Sequence, residues 1–117
     1  MLILIVDDDD VIREMLEIAL RSFGFTVETA ASGDEALNAL RRGPVDLVVM
    51  DVQMPGMDGP TTFAAMKASD PDVACCFISA NMGNYTLGEL TLMGAVGFLQ
   101  KPFQLEELRK MIVDAVG

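Results

Sequence analysis

Short apolar runs alternate with longer amphipathic segments along this chain. Leu2–Val6 is a continuous apolar run followed by four aspartates, a pattern typical of a strand buried on both faces of a parallel sheet. The next segment has apolar residues at helical spacing, charged residues on its other side, and Gly24 at its end, so it is predicted to be an amphipathic helix. Its apolar stripe consists of Ile12, Met15, Leu16, Ala19, Leu20 and Phe23.

The same alternation of strand and helix recurs four more times. The further predicted strands cover residues 25–29, 45–50, 73–79 and 95–100. Polar residues alternate with apolar ones in the first of these, which places that strand at an edge of the sheet. The pattern as a whole predicts an α/β fold of five βα units, a three-layer domain with a five-stranded parallel sheet and right-handed crossovers.

The predicted helices differ in the strength of their signals. Ser32 and Glu35 have capping-box spacing at the start of the second helix, and Pro60 suits the first turn of the third. The fourth is the weakest, because Gly83 and Gly88 each lower helix propensity by about 1 kcal/mol inside a helix. The apolar face of the fourth helix is predicted to consist of Leu87, Leu90 and Met93. The apolar stripe of the last helix is predicted to consist of Leu105, Leu108, Met111, Ile112, Ala115 and Val116.

Composition narrows the class of protein. The chain has 117 residues, of which 51% are hydrophobic and 22% charged, as expected for one globular domain. Its formal charge of −10 repels nucleic acid and anionic lipid, so no direct nucleic-acid partner is expected. No apolar run approaches the roughly 18 residues of a membrane helix. Met1–Val6 lacks a basic start and is shorter than the apolar core of a signal peptide, so we do not expect it to be one. We therefore expect a cytoplasmic protein without membrane attachment.

The cysteine and histidine content restricts the chemistry. The chain contains no histidine, which excludes histidine-based metal sites and a Ser-His-Asp triad within it. Cys75 and Cys76 are adjacent in an apolar run, so in a strand their side chains would point to opposite faces. We expect both to be reduced core thiols, which fits a cytoplasmic protein.

Polar groups follow the predicted buried strands, at the sheet edge where α/β proteins bind ligands. Asp7 and Asp8 follow the first strand, Asp51 the third and Lys101 the fifth, and Ser79 ends the fourth. Three carboxylates close together repel one another unless a cation is bound, and Mg²⁺ prefers such oxygen ligands. With Asp7 and Asp8 holding the ion, Asp51 is left as a carboxylate that can accept a phosphoryl group. Lys101 could then supply a fixed positive charge and Ser79 a hydrogen bond.

Several motifs together resemble the receiver domain of bacterial two-component response regulators. They are Leu2–Val6 with Asp7-Asp8-Asp9 and Ile12-Arg13, the stretch at residues 51–59, Ser79-Ala80, and Lys101-Pro102-Phe103, and they span essentially the whole chain. The resemblance implies a flavodoxin-like sheet with strand order 2-1-3-4-5 and one receiver domain over residues 1–117. The chain departs from the commonest pattern of this family at three places. Asp10 stands where many relatives have proline, Phe98 stands where tyrosine is frequent, and the fourth helix is unusually rich in glycine.

The resemblance also implies roles for individual residues. Asp51 would be the phosphoacceptor, with Asp7, Asp8, Asp51 and the backbone carbonyl of Gln53 as ligands of Mg²⁺ or Mn²⁺. Ser79 and Lys101 would contact the phosphoryl group, Ser79 and Phe98 would act as the switch residues, and the Lys101–Pro102 bond would be cis. The domain would catalyse only its own phosphorylation and dephosphorylation. A histidine kinase or phosphotransfer protein would be the donor, and the output partner or effector domain would not be in this chain.

Two other functions are weighed against this hypothesis. Leu2–Val6 followed by Asp7-x-Asp9 also resembles the nucleophile motif of haloacid-dehalogenase-type phosphatases, with Asp7 as nucleophile. Against this, no acidic pair follows Lys101 at a strand end, because Glu106 and Glu107 fall within a predicted helix. The other alternative is a receiver-like interaction module that no longer uses phosphate. Because Gly117 directly follows the last predicted helix, we expect either a single-domain regulator or a receiver cut from a longer regulator or hybrid kinase.

Overall fold

Five strands and five helices alternate along residues 1–116, the part of the chain that the computed structural model describes. The strands are β1 (Leu2–Val6), β2 (Thr26–Ala30), β3 (Leu47–Asp51), β4 (Cys75–Ser79) and β5 (Gly97–Gln100). The helices are α1 (Asp10–Ser22), α2 (Gly33–Arg42), α3 (Gly59–Ser69), α4 (Leu87–Leu92) and α5 (Leu105–Val116). Gly117, the last residue of the predicted domain, lies outside the described residues.

The five strands form one parallel sheet in the order β2-β1-β3-β4-β5. This confirms the predicted fold class and strand order, including the edge position of β2. Every residue of β3 and β4 is buried, because helices cover both faces of the sheet there. All five strands run in the same direction, so their carboxyl ends, with the polar residues that follow them, lie along one edge.

Helices form the two outer layers, which pack on separate clusters of core residues. Ile3 and Ile5 of β1 point to the side covered by α1 and α5, where Leu16 and Leu108 are buried. The alternate residues of the same strand point to the side covered by α2, α3 and α4, where Phe63 is buried. This alternation follows from the two-residue period of a strand.

The two cysteines illustrate the same alternation. Cys75 belongs to the core on the α2–α4 side and Cys76 to the core on the α1 and α5 side, and both are free thiols. Burial raises the pKa of Cys76 to about 12 and that of Cys75 well above its ordinary value. Both groups are therefore protonated at neutral pH, and the prediction that both are free thiols in the core is confirmed.

Four predicted strands begin too early. Phe25, Val45, Val73 and Ala95 are apolar and pack against the core, but the ladders begin one or two residues later. The backbone N–H of Phe25 donates to the Leu20 carbonyl at 3.2 Å and that of Val73 to the Asp70 carbonyl at 3.1 Å, so these residues close turns. An apolar run marks burial, whereas the start of a strand depends on where backbone pairing begins.

Helix starts match the capping signals, but some predicted stripe positions are wrong. Asp9 caps α1 by accepting from the N–H groups of Val11 and Ile12, and Ser32 caps α2 by accepting from Glu35. Met15 and Leu105, placed on the inner stripes by the sequence, are 47% and 45% exposed. Both residues line a surface groove between α1 and the start of α5. No helix within residues 1–116 is both long and apolar enough to cross a membrane.

The α4 helix is shorter than its predicted face. It covers Leu87–Leu92, with Thr86 as N-cap and Met93 as C-cap, so Gly83 falls in the preceding loop. Leu90 alone of the three predicted face residues is buried. Gly83 has a φ of +62°, a left-handed conformation that glycine adopts without strain. The loop before the helix packs against the side chain of Gln53, two residues after β3.

Gly59 allows the turn between β3 and α3 to close tightly. Its N–H donates to the Val52 carbonyl at 2.9 Å. A Cβ at Gly59 would overlap the Asp51 carbonyl oxygen and lie 3.0 Å from the Cα of Val52, and neither backbone atom can move independently of β3. A side chain at this position would therefore displace the end of the strand that carries Asp51.

We predict that Gly59→Ala destabilises the domain by about 1–3 kcal/mol, the usual cost of overpacking a tight site. Gly43→Ala is the matched control, because its φ of 165° is extended backbone and a Cβ there would meet nothing within 4 Å. The control should stay within about 0.5 kcal/mol of wild type. Urea denaturation followed by circular dichroism measures both, and equal stability of the two variants would contradict this account of the turn.

Candidate functional site

Three aspartates meet at the carboxyl ends of β1 and β3. Asp7 and Asp8 directly follow β1, and Asp51 is the last residue of β3, the neighbouring strand. One carboxylate oxygen from each lies within 4.8 Å of the others. Asp7 is fully buried and Asp51 is 7% exposed, whereas Asp8 is open to solvent. The cluster therefore has a buried floor and one open side.

Lys101 bridges the two buried carboxylates. It follows β5, and its ammonium group reaches past the end of β4 to lie 3.0 Å from Asp7 Oδ2 and 3.1 Å from Asp51 Oδ2. The remaining oxygens accept backbone hydrogen bonds: Asp7 Oδ1 from Asp9 N–H at 2.9 Å and Asp51 Oδ1 from Gln53 N–H at 3.2 Å. Both carboxylates are thus held in one orientation.

Burial and charge shift the protonation equilibria of this group. Burial raises the pKa of Asp51; the ammonium group of Lys101 opposes the shift and the Asp7 carboxylate adds to it. Burial alone would lower the pKa of Lys101, but the hydrogen bond to Asp7 and the charges of Asp51 and Asp7 raise it above its ordinary 10.5. Lys101 is therefore charged at neutral pH, and ionised Asp51 is destabilised.

The donor set suits a hard divalent cation. The carboxylates of Asp7, Asp8 and Asp51 and the ammonium of Lys101 leave two negative charges when all four groups are ionised. All the acidic ligands offer oxygen, and the exposed Asp8 leaves the site open to water, as Mg²⁺ requires. The hydrogen bond from Gln53 N–H to Asp51 places the Gln53 peptide beside the cluster. The residues present therefore fit Mg²⁺.

Ser79 is close to the cluster but its hydroxyl is engaged elsewhere. It is buried at the end of β4, next to the end of β3. Its Oγ donates to the Asn81 carbonyl at 2.6 Å and accepts from the Asn81 N–H at 3.0 Å. The hydroxyl must leave the Asn81 carbonyl before it can donate to another group.

Phe98 and Pro102 complete the set of predicted site residues. Phe98 lies in β5 opposite Phe77 and is half-buried. It lines an open groove of about 440 Å³ that also includes Ser79, Met82, Leu87 and Gln100. The Lys101–Pro102 peptide bond is cis, and Pro102 itself is exposed. The groove connects the side chain of Phe98 with the strand end that carries Ser79.

Two contacts around the cluster were not predicted from the sequence. The Arg13 guanidinium donates to the Asp7 carbonyl at 2.8 Å and pairs with Asp10, which secures the turn after β1. Tyr85 Oη donates to Asp58 Oδ2 at 2.9 Å and so links the loop before α4 to the N-cap of α3. Arg13 belongs to the Ile12-Arg13 motif described above. The sequence offers no signal for the contact of Tyr85 with Asp58, because the two residues are 27 positions apart.

Glu106 and Glu107 do not join the acidic cluster. Both lie exposed in the first turn of α5, as the helix prediction requires. Within residues 1–116, Asp7, Asp8 and Asp51 form the one cluster with a metal-binding arrangement. The acidic pair that a haloacid-dehalogenase-type phosphatase needs at a strand end after Lys101 is therefore not found among the described residues.

The family of the chain follows from comparison with known proteins. The model of the response regulator receiver domain matches residues 3–113, so this chain belongs to that family and is a signalling domain of two-component systems. The chemotaxis protein CheY4 of Vibrio cholerae has the same fold, with a TM-score of 0.90 and 32% identity over 97% of each chain. The TrrA response regulator of Thermotoga maritima, solved in complex with Mg²⁺-BeF, matches with a TM-score of 0.86 and 30% sequence identity over 97% of each chain.

Curated relatives are longer than this chain. The sensor kinase CckA of Brucella abortus is 42% identical over 108 residues, which is 91% of this chain but 11% of that protein. The transcriptional regulatory protein PrrA of Mycobacterium tuberculosis is 40% identical over 106 residues, 91% of this chain and 46% of that protein. The chain thus spans less than half the length of these relatives, in which receiver domains accompany other regions.

We predict that Asp51→Asn stabilises the metal-free domain at neutral pH. The raised pKa of Asp51 means that its ionisation destabilises the folded state as pH rises through the folded pKa. The free energy of unfolding should rise by about 0.5–2 kcal/mol near pH 7.5, a usual range for stabilising substitutions. The rise should be smaller near pH 4. Urea denaturation in EDTA at the two pH values measures it. The control is Asp72→Asn in an exposed turn, and a gain that grows toward acid pH would contradict the prediction.

Proposed function

We propose that this domain accepts a phosphoryl group on Asp51 from a histidine kinase or phosphotransfer protein. The observation that carries the proposal is the environment of the Asp51 carboxylate. It ends β3, lies beside Asp7 and Asp8, and is paired with Lys101 at the ligand-binding edge of the sheet. Asp7, Asp8, Asp51 and the Gln53 backbone carbonyl would hold Mg²⁺ or Mn²⁺. Residues 1–117 would act as one receiver domain in the cytoplasm.

The reaction is a direct transfer between two nucleophiles. An oxygen of Asp51 attacks the phosphorus, the P–N bond of the donor phosphohistidine breaks, and an acyl phosphate forms on Asp51. Lys101 neutralises part of the charge on the transferred group. Magnesium, when bound, would neutralise charge on the phosphoryl oxygens. Water later attacks the phosphorus, the P–O bond to Asp51 breaks, and inorganic phosphate leaves the regenerated carboxylate. On this proposal, the domain catalyses only its own phosphorylation and dephosphorylation.

The switch begins at Ser79. A phosphoryl group on Asp51 adds about −1.5 to −2 charges and strong acceptor oxygens next to the end of β4. The Ser79 hydroxyl then exchanges its bond to the Asn81 carbonyl for one to the phosphoryl group, and the loop 80–86 moves with it. Phe98 shares a groove with Ser79 and passes the change to the surface around α4 and α5. An output partner or effector domain binds that surface.

Solved relatives support the metal and phosphoryl assignments. The Thermotoga maritima TrrA structure contains Mg²⁺-BeF, and a CheY of Borrelia burgdorferi, 29% identical, was solved as a CheX-CheY-BeF3-Mg²⁺ complex. The fold of this chain matches both, with TM-scores of 0.86 and 0.89. By contrast, a phosphatase that uses Asp7 needs an accessible nucleophile, and Asp7 is fully buried and paired with Lys101.

We predict that acetyl phosphate with Mg²⁺ adds one phosphoryl group to the wild-type domain and none to Asp51→Asn. Intact-mass spectrometry measures the gain, and borohydride reduction of the acyl phosphate followed by peptide sequencing identifies the residue. The exposed Asp72→Asn variant is the matched control and should label like wild type. EDTA should abolish the labelling of both the wild type and Asp72→Asn.

Each of the other outcomes would contradict a different part of the proposal. Reduction products at Asp7 would support the phosphatase and overturn the receiver mechanism. Absence of label in the wild type under all conditions would leave a phosphate-independent interaction module as the better hypothesis. Undiminished labelling of Asp51→Asn would show that the acceptor is misassigned.

The donor is proposed to dock on an apolar surface of α1 beside the site. Val11, Met15 and Ile18 are 76%, 47% and 62% exposed, and Leu105 at the start of α5 adjoins them. Met15 also lines an open groove of about 490 Å³ with Ile12, Ala80, Lys101, Pro102 and Phe103. The surface is therefore continuous with the lysine that touches Asp51, so a protein bound there could present a phosphohistidine to the acceptor.

We predict that Ile18→Glu reduces phosphoryl transfer from autophosphorylated histidine kinases at least about tenfold, the loss expected when a charge replaces an apolar interface contact. The rate from acetyl phosphate should not change, because the variant lies outside the acidic cluster. The control is Leu92→Glu, on a helix across the sheet and 90% exposed. Transfer is measured with radiolabelled donors, and an equal loss with both donors would exclude a docking role.

A further inference from the structure

The α4 helix has little apolar attachment to the domain. It contains six residues, of which Leu90 alone is buried. Leu87 and Leu92 are 52% and 90% exposed. A single buried leucine contributes little to the attachment of a helix, and a helix this short is marginal without tertiary contacts. The position of α4 must therefore depend on other interactions.

Two side-chain hydrogen bonds tie the α4 region to α3, one before the helix and one after it. Before α4, Tyr85 Oη donates to Asp58 Oδ2, the carboxylate that caps α3, at 2.9 Å. After α4, Lys67 of α3 donates to the carbonyl of Met93, the C-cap of α4, at 2.8 Å. The partners are 27 and 26 positions apart in the sequence, so both bonds join distant segments of the chain.

The surroundings strengthen both ties. The Lys67 ammonium group also lies 5.3 Å from the ring centroid of Phe63, so its position is fixed by a cation–π contact. It is a cation placed at a helix C-terminus, where positive charge is favourable. On the other side, the Gln53 side chain occupies the space where Gly83 would carry a Cβ, so the loop before α4 lies directly against a residue two positions after Asp51.

We propose that the Tyr85–Asp58 and Lys67–Met93 hydrogen bonds act as a strap that holds α4 in the unphosphorylated position and raises the threshold of the switch. The strap keeps the loop 80–86 in the arrangement in which Ser79 Oγ donates to the Asn81 carbonyl. Tyr85 is in the same loop as Asn81, so the rearrangement that frees Ser79 works against the Tyr85 bond. The inference rests on the proposed function, because the threshold concerns phosphorylation of Asp51.

The strap predicts that its removal favours the phosphorylated arrangement. Tyr85→Phe deletes only the hydroxyl, and Lys67→Met deletes the charge while keeping the side-chain stem over Phe63. Each variant should bind beryllofluoride in Mg²⁺ about threefold to tenfold more tightly than wild type, as expected for loss of one hydrogen bond from the competing state. Each should also accept phosphoryl from acetyl phosphate faster, and the double variant should show a larger effect than either.

A second readout tests the strap without any phosphoryl group. Amide hydrogen exchange of residues 80–94 should be about threefold to tenfold faster in both variants of the metal-free protein. The control is Thr91→Val, which removes the Thr91 Oγ1 bond to the Leu87 carbonyl within α4, at 2.8 Å, and touches no tie to α3. It should leave beryllofluoride affinity unchanged.

The outcomes separate this inference from the function it rests on. Faster exchange with tighter beryllofluoride binding in both variants supports the strap. Unchanged exchange, or equal or weaker beryllofluoride binding while the wild type still binds it, overturns the strap and leaves the receiver mechanism standing. An equal effect in Thr91→Val also overturns it. If the wild type binds no beryllofluoride, the proposed function fails and so does the regulatory role, whereas the exchange rates still report on the ties themselves.

Discussion

An ammonium group at the end of β5 holds together two buried carboxylates from β1 and β3, and the rest of the site is arranged around this ion pair. Asp7 and Asp51 lie close enough to repel each other, and burial makes that repulsion stronger than it would be in water. Lys101 compensates only one of the two charges. The domain therefore folds with unbalanced negative charge at its functional edge, a loss of stability that is common where a protein must bind a cation or a transferred group.

The large apolar contribution of the sheet makes this arrangement tolerable. β3 and β4 are buried along their whole length, and the helices cover them from both sides. Gly59 brings the start of α3 so close to Asp51 that the strand end has no room to shift. Rigid strands thus fix Asp51 and its acidic neighbours, whereas the loop 80–86 and α4, which the proposed switch would move, are attached by a few polar contacts.

Most of the fold and of the acidic site could be predicted from the sequence because they depend on local patterns. Continuous apolar runs such as Leu2–Val6 identify strands buried on both faces, and the residue after each run falls at the same edge of a parallel sheet. The strand starts could not be placed as well, since Val45 and Val73 are buried without joining the ladder. The state of Ser79, the partner of Tyr85 and the length of α4 depend on contacts between distant segments. No spacing along the chain encodes those contacts.

The distribution of helices over the two faces of the sheet has a consequence for the evolution of such a domain. The apolar surface of α1 lies on one face and α4 on the other, and the two share no core residues. Substitutions that change recognition on one face can therefore accumulate without altering packing on the other. Duplicated copies of such a gene could acquire new upstream partners while keeping their downstream ones, or the reverse. The sheet between the faces limits this freedom only at the strand ends, where the proposed phosphorylation of Asp51 requires fixed side chains.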